Sequence, residues 1–193
     1  MKIRNLIITF VSAIALLLST STISFAKVVG DKIILGAAVS LTGKYSSNGV
    51  HTQNGYNMAV DRINSMGGIK VGGKSYKFEI IYYDDESNPK RAAQLAERLI
   101  SQDKVEFMLG PYSSGLTKAM APVTEKYGVP MVEANGASRS LFTKGYKYLF
   151  AVLAPANLYL DVAIRTAVEL NGGKGVNIAM AFEQDAFSQD VRL

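Results

Sequence analysis

Cysteine is absent from this 193-residue chain, and His51 is its only histidine. Without cysteine the chain can form no disulfide framework, and it has no lipobox for a lipid anchor. The Ser-His-Asp and Cys-His arrangements of nucleophilic catalysis also lack parts. We interpret His51, which lies early in a predicted helix, as an exposed polar residue rather than a ligand. We therefore predict that the chain is not an enzyme.

The sequence also offers few motifs for binding cofactors or metals. The glycine-rich residues 67–73 follow a predicted helix rather than a strand, so they lack the context of a phosphate-binding loop. The acidic run Asp84-Asp85-Glu86 is a candidate metal cluster, but calcium loops use alternating spacing and a turn glycine. We interpret it as carboxylates near the start of the following helix, where the helix dipole favours them. No cofactor and no metal are predicted.

The first 26 residues have the pattern of a secretory signal peptide. Lys2 and Arg4 form a positive start, residues 6–18 form an apolar core, and Ser24-Phe25-Ala26 gives a small-x-small cleavage site. The apolar core is shorter than the roughly 20 residues that a membrane-spanning helix needs. We predict cleavage after Ala26 and, in the absence of a lipid anchor, a protein of the bacterial periplasm.

The charge is mildly basic and scattered. The formal net charge is +5, and removal of Lys2 and Arg4 with the leader lowers it to +3. Such a balance gives no reason to expect a nucleic-acid partner. The sequence stops at residues 190–193, inside a predicted helix start without a cap. We expect the chain to be a truncated piece of a longer protein.

Apolar runs alternate with amphipathic segments along the chain. This alternation predicts an α/β fold in which right-handed βαβ crossovers build a parallel, doubly wound sheet with helices on both faces. The predicted strands cover residues 33–41, 77–83, 105–109, 129–132, 148–153 and 176–182. The predicted helices cover residues 89–102, 114–127 and 158–170, with a helical turn at 141–142 and an earlier helix that carries Tyr56, Ala59, Val60, Ile63 and Met66 on one face.

Pro155 interrupts this rhythm after the fifth predicted strand. We interpret Leu153–Asn157 as a passage between two lobes. Residues 27–153 then form an N-terminal α/β lobe. Residues 154–193 form a hinge crossing and the start of an incomplete second lobe.

Polar residues that do not titrate follow three of the predicted strands, at residues 46–48, 113–114 and 135–138. Each alone is explained by helix capping. Together they lie at the carboxyl ends of strands, where open α/β sheets bind ligands. Hydroxyl groups and free N–H groups at a helix start suit a carboxylate. The sequence therefore predicts a site for a small anion or zwitterion.

Several segments resemble the type I periplasmic binding proteins of ABC transporters, and most of all the branched-chain amino-acid group. The resemblance covers nearly all of residues 32–193 and implies two α/β lobes that hold a ligand in the cleft between them. The segments that carry it are Lys32–Gly43 with Gly49 and Gly55, INSMGGI at 63–69, YYDDESNPKRA at 82–92, GPYSSG at 110–115 and NGAS at 135–138.

The resemblance also assigns candidate ligand-binding residues. It implies that Ser114 binds the ligand α-carboxylate, and that Gly136 and Ser138 take the ammonium and the carboxylate. Asn135 and Ala137 take those roles if the register is displaced by one residue. An aromatic residue of the second lobe borders the cleft in this family. A second-lobe acid that pairs with the ammonium, and an aromatic residue that covers the ligand side chain, are expected beyond Leu193. The candidate ligand-binding residues are Ser113, Ser114, Asn48, Asn135, Gly136, Ser138 and, as the cleft aromatic, Phe187.

By this resemblance the protein is a monomeric solute-binding component that delivers an amino-acid-like ligand to the membrane permease of an ABC importer. A periplasmic sensor of the same fold is the alternative. The amide of Asn135 also leaves amides, urea and aromatic acids open as ligands.

The leader makes the first testable prediction. We expect the mature protein to begin at Lys27, because the cleavage site precedes it and no lipid anchor holds the chain at the membrane. N-terminal sequencing of exported protein checks this. Retention of Met1, or recovery in the membrane fraction, would contradict it.

Overall fold

The computed structural model describes residues 28–192, so the predicted signal peptide lies outside the described residues. No helix in this range is long and apolar enough to cross a membrane. The strands are β1 (Val28–Val29), β2 (Lys32–Val39), β3 (Ile69–Val71), β4 (Lys74–Asp84), β5 (Met108–Leu109), β6 (Met131–Glu133) and β7 (Leu149–Ala151). The helices are α1 (Ser46–Ser65), α2 (Pro89–Ser101), α3 (Ser114–Tyr127), α4 (Arg139–Phe142), α5 (Asp161–Leu170) and α6 (Ala186–Val191), with a 3-10 turn at Ala156–Leu158.

The strands form one sheet in the order β3-β4-β2-β5-β6-β7, with β1 added to the start of β2. Five neighbouring strands of this sheet, β4, β2, β5, β6 and β7, are parallel to one another. This confirms the predicted doubly wound fold. Ala37 of β2 pairs with Tyr82 on one side and with Leu109 on the other. The chain leaves β2 toward β4 but leaves β5 toward β6. The loops after β2 and β5 therefore diverge, and open α/β sheets bind ligands at such a switch point.

Helices α2 and α3 cover one face of the sheet. The Asn88 side chain caps α2 by accepting hydrogen bonds from the N–H groups of Lys90 and Arg91 at 2.9 and 3.1 Å. Pro89 takes the first helical position, where no N–H is needed. Buried residues of the two helices and the sheet form one core, which includes Ala92, Leu95, Leu99, Leu116, Met120, Ile34, Ala38, Met108 and Met131.

Helix α1 covers only part of the opposite face. Ile33 and Leu35 of β2 lie beneath it, at the edge of a groove of about 410 Å³. Farther along the same face, Phe107, Val132 and Phe150 remain 41%, 39% and 51% exposed. Parallel sheets are normally covered on both faces. The exposure of these three side chains therefore means that the helical layer on this side is partial.

Residues 68–75 read GIKVGGKS, which fits the spacing GxxxxGK[ST] of phosphate-binding loops. They do not form such a loop, because β3 and β4 pair as an antiparallel hairpin across Gly72-Gly73. Both turn glycines have positive φ, at 55° and 81°, as a two-residue hairpin turn requires. The strand-loop-helix context of phosphate binding is therefore missing.

The strand predicted over residues 176–182 was wrong. These residues have no regular secondary structure, and no strand of the described chain lies beside them to supply hydrogen-bond partners. Ile178, Met180 and Phe182 accordingly stay between 40% and 51% exposed. The predicted helix 158–170 is also split, into the 3-10 turn and α5. The predicted helix 114–127 is present with the predicted bounds, as α3. The remaining predicted helices and strands are present with shifted ends, and β5 is the most shortened.

Two glycines of α1 give a matched test of how closely this helix packs. A Cβ on Gly49 would overlap the carbonyl oxygen of Ser40 and lie 2.6 Å from its carbonyl carbon, whereas a Cβ on Gly55 meets nothing within 4 Å. We expect Gly49→Ala to destabilise the fold by more than about 2 kcal/mol. Gly55→Ala should instead stabilise it by about 0.5–1 kcal/mol. Chemical denaturation of both variants checks this, and equal effects would contradict the close contact.

Candidate functional site

A cavity of about 380 Å³ lies at the carboxyl ends of β2, β5 and β6. One wall comes from the loops that follow these strands, and the other comes from the C-terminal segment, which we define as residues 154–192, together with Leu153. Loop residues in the lining are Tyr45, Tyr112, Ser113, Ser114, Ala134, Asn135 and Ala137. The opposite wall is formed by Leu153, Tyr159, Glu183, Asp185, Phe187 and Ser188.

The structure brings together four of the seven predicted site residues. Ser113, Ser114, Asn135 and Phe187 line the cavity, and so does Ala137, the alternative for a displaced register. Asn48 lines a neighbouring groove of about 420 Å³, which shares Asn135 with the cavity. Gly136 and Ser138 are buried and lie outside the lining.

Ser113 and Ser114 have different structural tasks at the start of α3. Ser113 caps the helix, because its hydroxyl accepts a hydrogen bond from the N–H of Leu116 at 3.4 Å. Its φ and ψ are 97° and 151°, a combination that costs a non-glycine residue about 1–3 kcal/mol. Ser114 is 1% exposed, and its hydroxyl oxygen accepts from the N–H of Ser138 at 3.0 Å. The Ser114 hydroxyl hydrogen can therefore be donated into the cavity.

Aromatic rings stand on both walls of the cavity. Tyr45 and Tyr112 meet edge to face with ring centroids 5.6 Å apart. Tyr159 and Phe187 make the same kind of contact, also at 5.6 Å, on the opposite wall. Such pairs are stabilising, and they frame an apolar space between the polar groups. The three tyrosines were not predicted from the sequence.

The C-terminal segment contributes two acids to the lining, Glu183 and Asp185. Asp185 caps α6 by accepting from the N–H groups of Phe187 and Ser188 at 2.8 and 3.0 Å. Burial acts to raise the pKa of Asp185, but these bonds and the Ser188 hydroxyl hold it below its usual value. Glu183 forms an ion pair with Lys44 of the first wall. The cavity thus has hydroxyl donors on one side and carboxylates on the other.

Neither acid was predicted as a site residue. A local sequence signal for Asp185 was available, because this residue stands two positions before the predicted site residue Phe187 and fits the pattern of a helix N-cap. What the sequence does not reveal is that the loop 183–185 folds back against Lys44, 139 residues earlier in the chain.

Glu133 at the end of β6 is a fully buried acid beneath the loop that carries Asn135. Its carboxyl group accepts hydrogen bonds from the N–H groups of Asn135 and Gly136 and contacts the Thr117 hydroxyl at 2.7 Å. The Thr117 hydroxyl also lies 2.9 Å from the carbonyl oxygen of Ser113. Because Thr117 has one proton for two acceptors, a protonated Glu133 satisfies every contact. Burial raises the pKa of Glu133 to about 7.

The acidic run after β4 fixes the first loop of the site. The Asp84 carboxylate accepts hydrogen bonds from the backbone of Leu41 and Thr42 and from the Thr42 hydroxyl. Although burial opposes this, these bonds keep the pKa of Asp84 below its usual value. Asp85 is bound by the Ser40 hydroxyl at 2.6 Å, and burial raises its pKa. Among residues 28–192 no group of three or more acidic, histidine or cysteine side chains is placed to hold a metal ion.

The sequence profile of the family described as periplasmic binding protein matches residues 32–192. The leucine-, isoleucine-, valine-, threonine- and alanine-binding protein of Pseudomonas aeruginosa is 26% identical over 161 residues, which cover 83% of this chain and 41% of that protein. The chain therefore spans about two fifths of the length of this curated relative.

Solved structures agree with this assignment. The branched-chain amino acid transporter substrate binding protein LivJ of Streptococcus pneumoniae, in complex with isoleucine, has a TM-score of 0.60 and 30% identity. The match covers 69% of this chain and 39% of LivJ. A solute binding protein of an ABC transporter from R. palustris, in complex with 4-hydroxybenzoate, has a TM-score of 0.68 and 28% identity over 84% of this chain and 42% of that protein.

Glu133 makes the site sensitive to pH in a defined direction. Between pH 4.5 and about 7 the folded protein keeps a proton that the unfolded chain has lost. The contribution of Glu133 to the free energy of unfolding therefore falls as the pH rises through this window, by up to about 3 kcal/mol.

Glu133→Gln should remove this pH dependence, because the amide oxygen still accepts from the loop and the amide nitrogen can donate to Thr117. Denaturation of the wild type and the variant between pH 4 and pH 8 measures the difference. The exposed Glu169→Gln variant controls for the loss of one negative charge. A stability difference that does not change with pH, or that favours the wild type at high pH, would contradict a protonated Glu133.

Proposed function

This chain belongs to the periplasmic binding protein family, and on that premise we propose that it is the solute-binding component of an ABC importer. In this proposal residues 27–153 form the first ligand-binding lobe, and residues 154–193 form the hinge crossing and the start of the second. The protein is exported after cleavage at Ala26, acts as a monomer in the periplasm and delivers its ligand to a membrane permease.

The observation that carries this proposal is the opposed polarity of the two cavity walls. Ser114 offers a hydroxyl donor at the start of α3, where free N–H groups and the helix dipole favour a carboxylate. Across the cavity, Glu183 and Asp185 offer negative charge to an ammonium group. A zwitterionic amino acid satisfies both walls at once. We propose the branched-chain amino acids as the ligand class, since the aromatic rings between the walls suit an apolar side chain.

The assignment of ligand residues follows from this orientation. We propose that the Ser114 hydroxyl takes the ligand carboxylate and that Ser113, Asn135 and Phe187 border the rest of the ligand. The lining by Asn135 and Ala137 supports the displaced register over contacts from Gly136 and Ser138. Asn48 then borders only the neighbouring groove.

The mechanism needs no chemical step. The first wall captures the solute, and closure of the C-terminal segment removes the ligand from water between two polar walls. The cavity lining contains neither histidine nor cysteine, so it lacks the Ser-His and Cys-His pairs of nucleophilic catalysis. Binding and release, and not catalysis, are therefore the proposed activity.

A second ligand class is favoured by the aromatic lining. One similar solute binding protein is solved with 4-hydroxybenzoate, and the rings of Tyr45, Tyr112 and Phe187 suit a planar acid. Calorimetry with L-leucine, L-isoleucine and 4-hydroxybenzoate separates the two classes. Binding of the amino acids supports the main proposal, binding of the aromatic acid alone favours the second class, and binding of none would contradict both. Co-purification with a membrane permease separates import from sensing.

Substitution of the serines tests which of them holds the ligand. Ser114→Ala removes the hydroxyl of a cavity-lining residue, and we expect the affinity for the bound solute to fall about 10- to 100-fold, as for a lost bond to a charged group. Ser113→Ala removes the helix cap and should cost about 1 kcal/mol of stability, with a much smaller loss of affinity.

Calorimetry and thermal melting on both variants provide the measurement. Because the N–H of Ser138 loses its acceptor in Ser114→Ala, some loss of stability is expected there as well. The ratio of the two affinities is therefore decisive. Unchanged affinity in Ser114→Ala would remove this residue from the site.

A further inference from the structure

Asp190 joins the C-terminal segment to the loop that forms the back of the cavity. It lies near the end of α6 and is 9% exposed. Its Oδ2 atom accepts hydrogen bonds from the Ser138 hydroxyl at 2.5 Å and from the N–H of Ser140 at 3.1 Å. The partners are 52 and 50 residues apart in sequence. The contact is therefore a bridge between the two walls.

The bridge reaches the site through Ser138. The N–H of Ser138 donates to the hydroxyl oxygen of Ser114, and Ala137 beside it lines the cavity. Neither Ser138 nor Asp190 belongs to the lining. The Asp190 carboxylate thus lies behind the wall and does not take up the space of a ligand. It holds the wall in place without competing for the cavity.

Apart from Ala156 in the hinge crossing, which is buried and donates its N–H to the carbonyl oxygen of Ala137 at 2.7 Å, the rest of the C-terminal segment is weakly attached to the first wall. Helix α5 has no buried residue, and the Lys44–Glu183 ion pair is more than half exposed on both sides. Exposed ion pairs contribute little because water screens them. A buried carboxylate with two donors is a stronger link, since hydrogen bonds to charged groups are about twice as strong as neutral ones.

We propose that Asp190 is a latch residue that holds the C-terminal segment against the first wall and favours the closed arrangement of the cavity. This inference rests on the proposed function, because closure matters only if a solute is enclosed. A ligand that binds only the closed arrangement has an apparent affinity equal to its intrinsic affinity multiplied by the fraction of molecules that are closed. The more molecules are open, the weaker the observed binding. Loss of the latch should therefore weaken ligand binding without removing any ligand contact.

The absence of cysteine from the chain makes the opening directly measurable. Cysteines introduced at two exposed positions, Asn54 on α1 and Glu169 on α5, can be labelled with nitroxides without interference. Electron spin resonance then gives the distribution of distances between the two walls with no ligand present. We expect Asp190→Ala to raise the ratio of long to short distances at least tenfold, with Asp190→Asn intermediate. Gln189→Ala, an exposed neighbour on the same helix, should match the wild type.

Ser138→Ala removes the other partner of the bridge. It keeps the test valid if Asp190→Ala fails to fold. It should open the cavity in the same direction as Asp190→Ala but to a smaller extent, because the N–H of Ser140 still donates to Asp190. The double variant should open it no further than Asp190→Ala alone, since the bond between Ser138 and Asp190 is already lost there. A distance distribution that stays at the wild-type value in both folded single variants would overturn the latch. A purely local role would lower the melting temperature and leave the distances unchanged, which would overturn it equally.

Calorimetry with L-leucine adds the functional arm. With the latch lost, the affinity of Asp190→Ala should fall by the same factor as the closed fraction that the labels report, whereas tighter binding would mean that Asp190 competes with the ligand and would overturn the proposal. Failure of the wild type to bind L-leucine would count against the proposed ligand class alone. The distances between labels, measured without ligand, would still decide whether Asp190 is a latch.

Discussion

Buried and half-buried carboxylates that accept hydrogen bonds from loop N–H groups fix the shape of this site. Asp84 and Asp85 at the end of β4 hold the loop after β2. Glu133 at the end of β6 holds the loop that carries Asn135, and Asp190 holds the next turn of the same chain at Ser140. A loop by itself offers a ligand a mobile backbone, and ordering that backbone costs about 1–2 kcal/mol per residue. Because the acids at the strand ends order the loops during folding, ligand binding does not have to supply this free energy.

This arrangement has an electrostatic consequence for the cavity. The fixing acids stand behind the first wall, so its surface presents hydroxyl and N–H donors. The exposed Glu183 and the half-buried Asp185 stand on the opposite wall. Burial raises the pKa of Glu133 to about 7, which lowers the negative charge directly beneath the donor wall. A ligand with a carboxylate at one end and an ammonium group at the other is matched in its orientation as well as in its charge.

The sequence was informative where local chemistry decides the structure. Asn88-Pro89 and the apolar spacing of residues 92–100 define α2. The serines at the start of α3 mark the beginning of this helix, and this position brings Ser113 and Ser114 to the cavity. The sequence was uninformative where partners distant in the chain decide. Residues 176–182 have a strand's composition, but residues 28–192 contain no strand that pairs with them. The burial of Ser138 depends on Asp190, and the position of Glu183 depends on Lys44. The sequence places Asn48 in a polar loop, but the residue lies in the first turn of α1, and the course of this helix directs it to the neighbouring groove.

The central claim is that the cavity between the two walls is where the solute binds. Nuclear magnetic resonance of the isotope-labelled protein, titrated with L-leucine, tests it most directly because each backbone amide reports on its own surroundings. We expect the largest shifts at residues 112–116, 134–137 and 183–188, which surround the cavity. Shifts confined to the groove beside Asn48, or to the exposed sheet face around Phe150, would contradict the account.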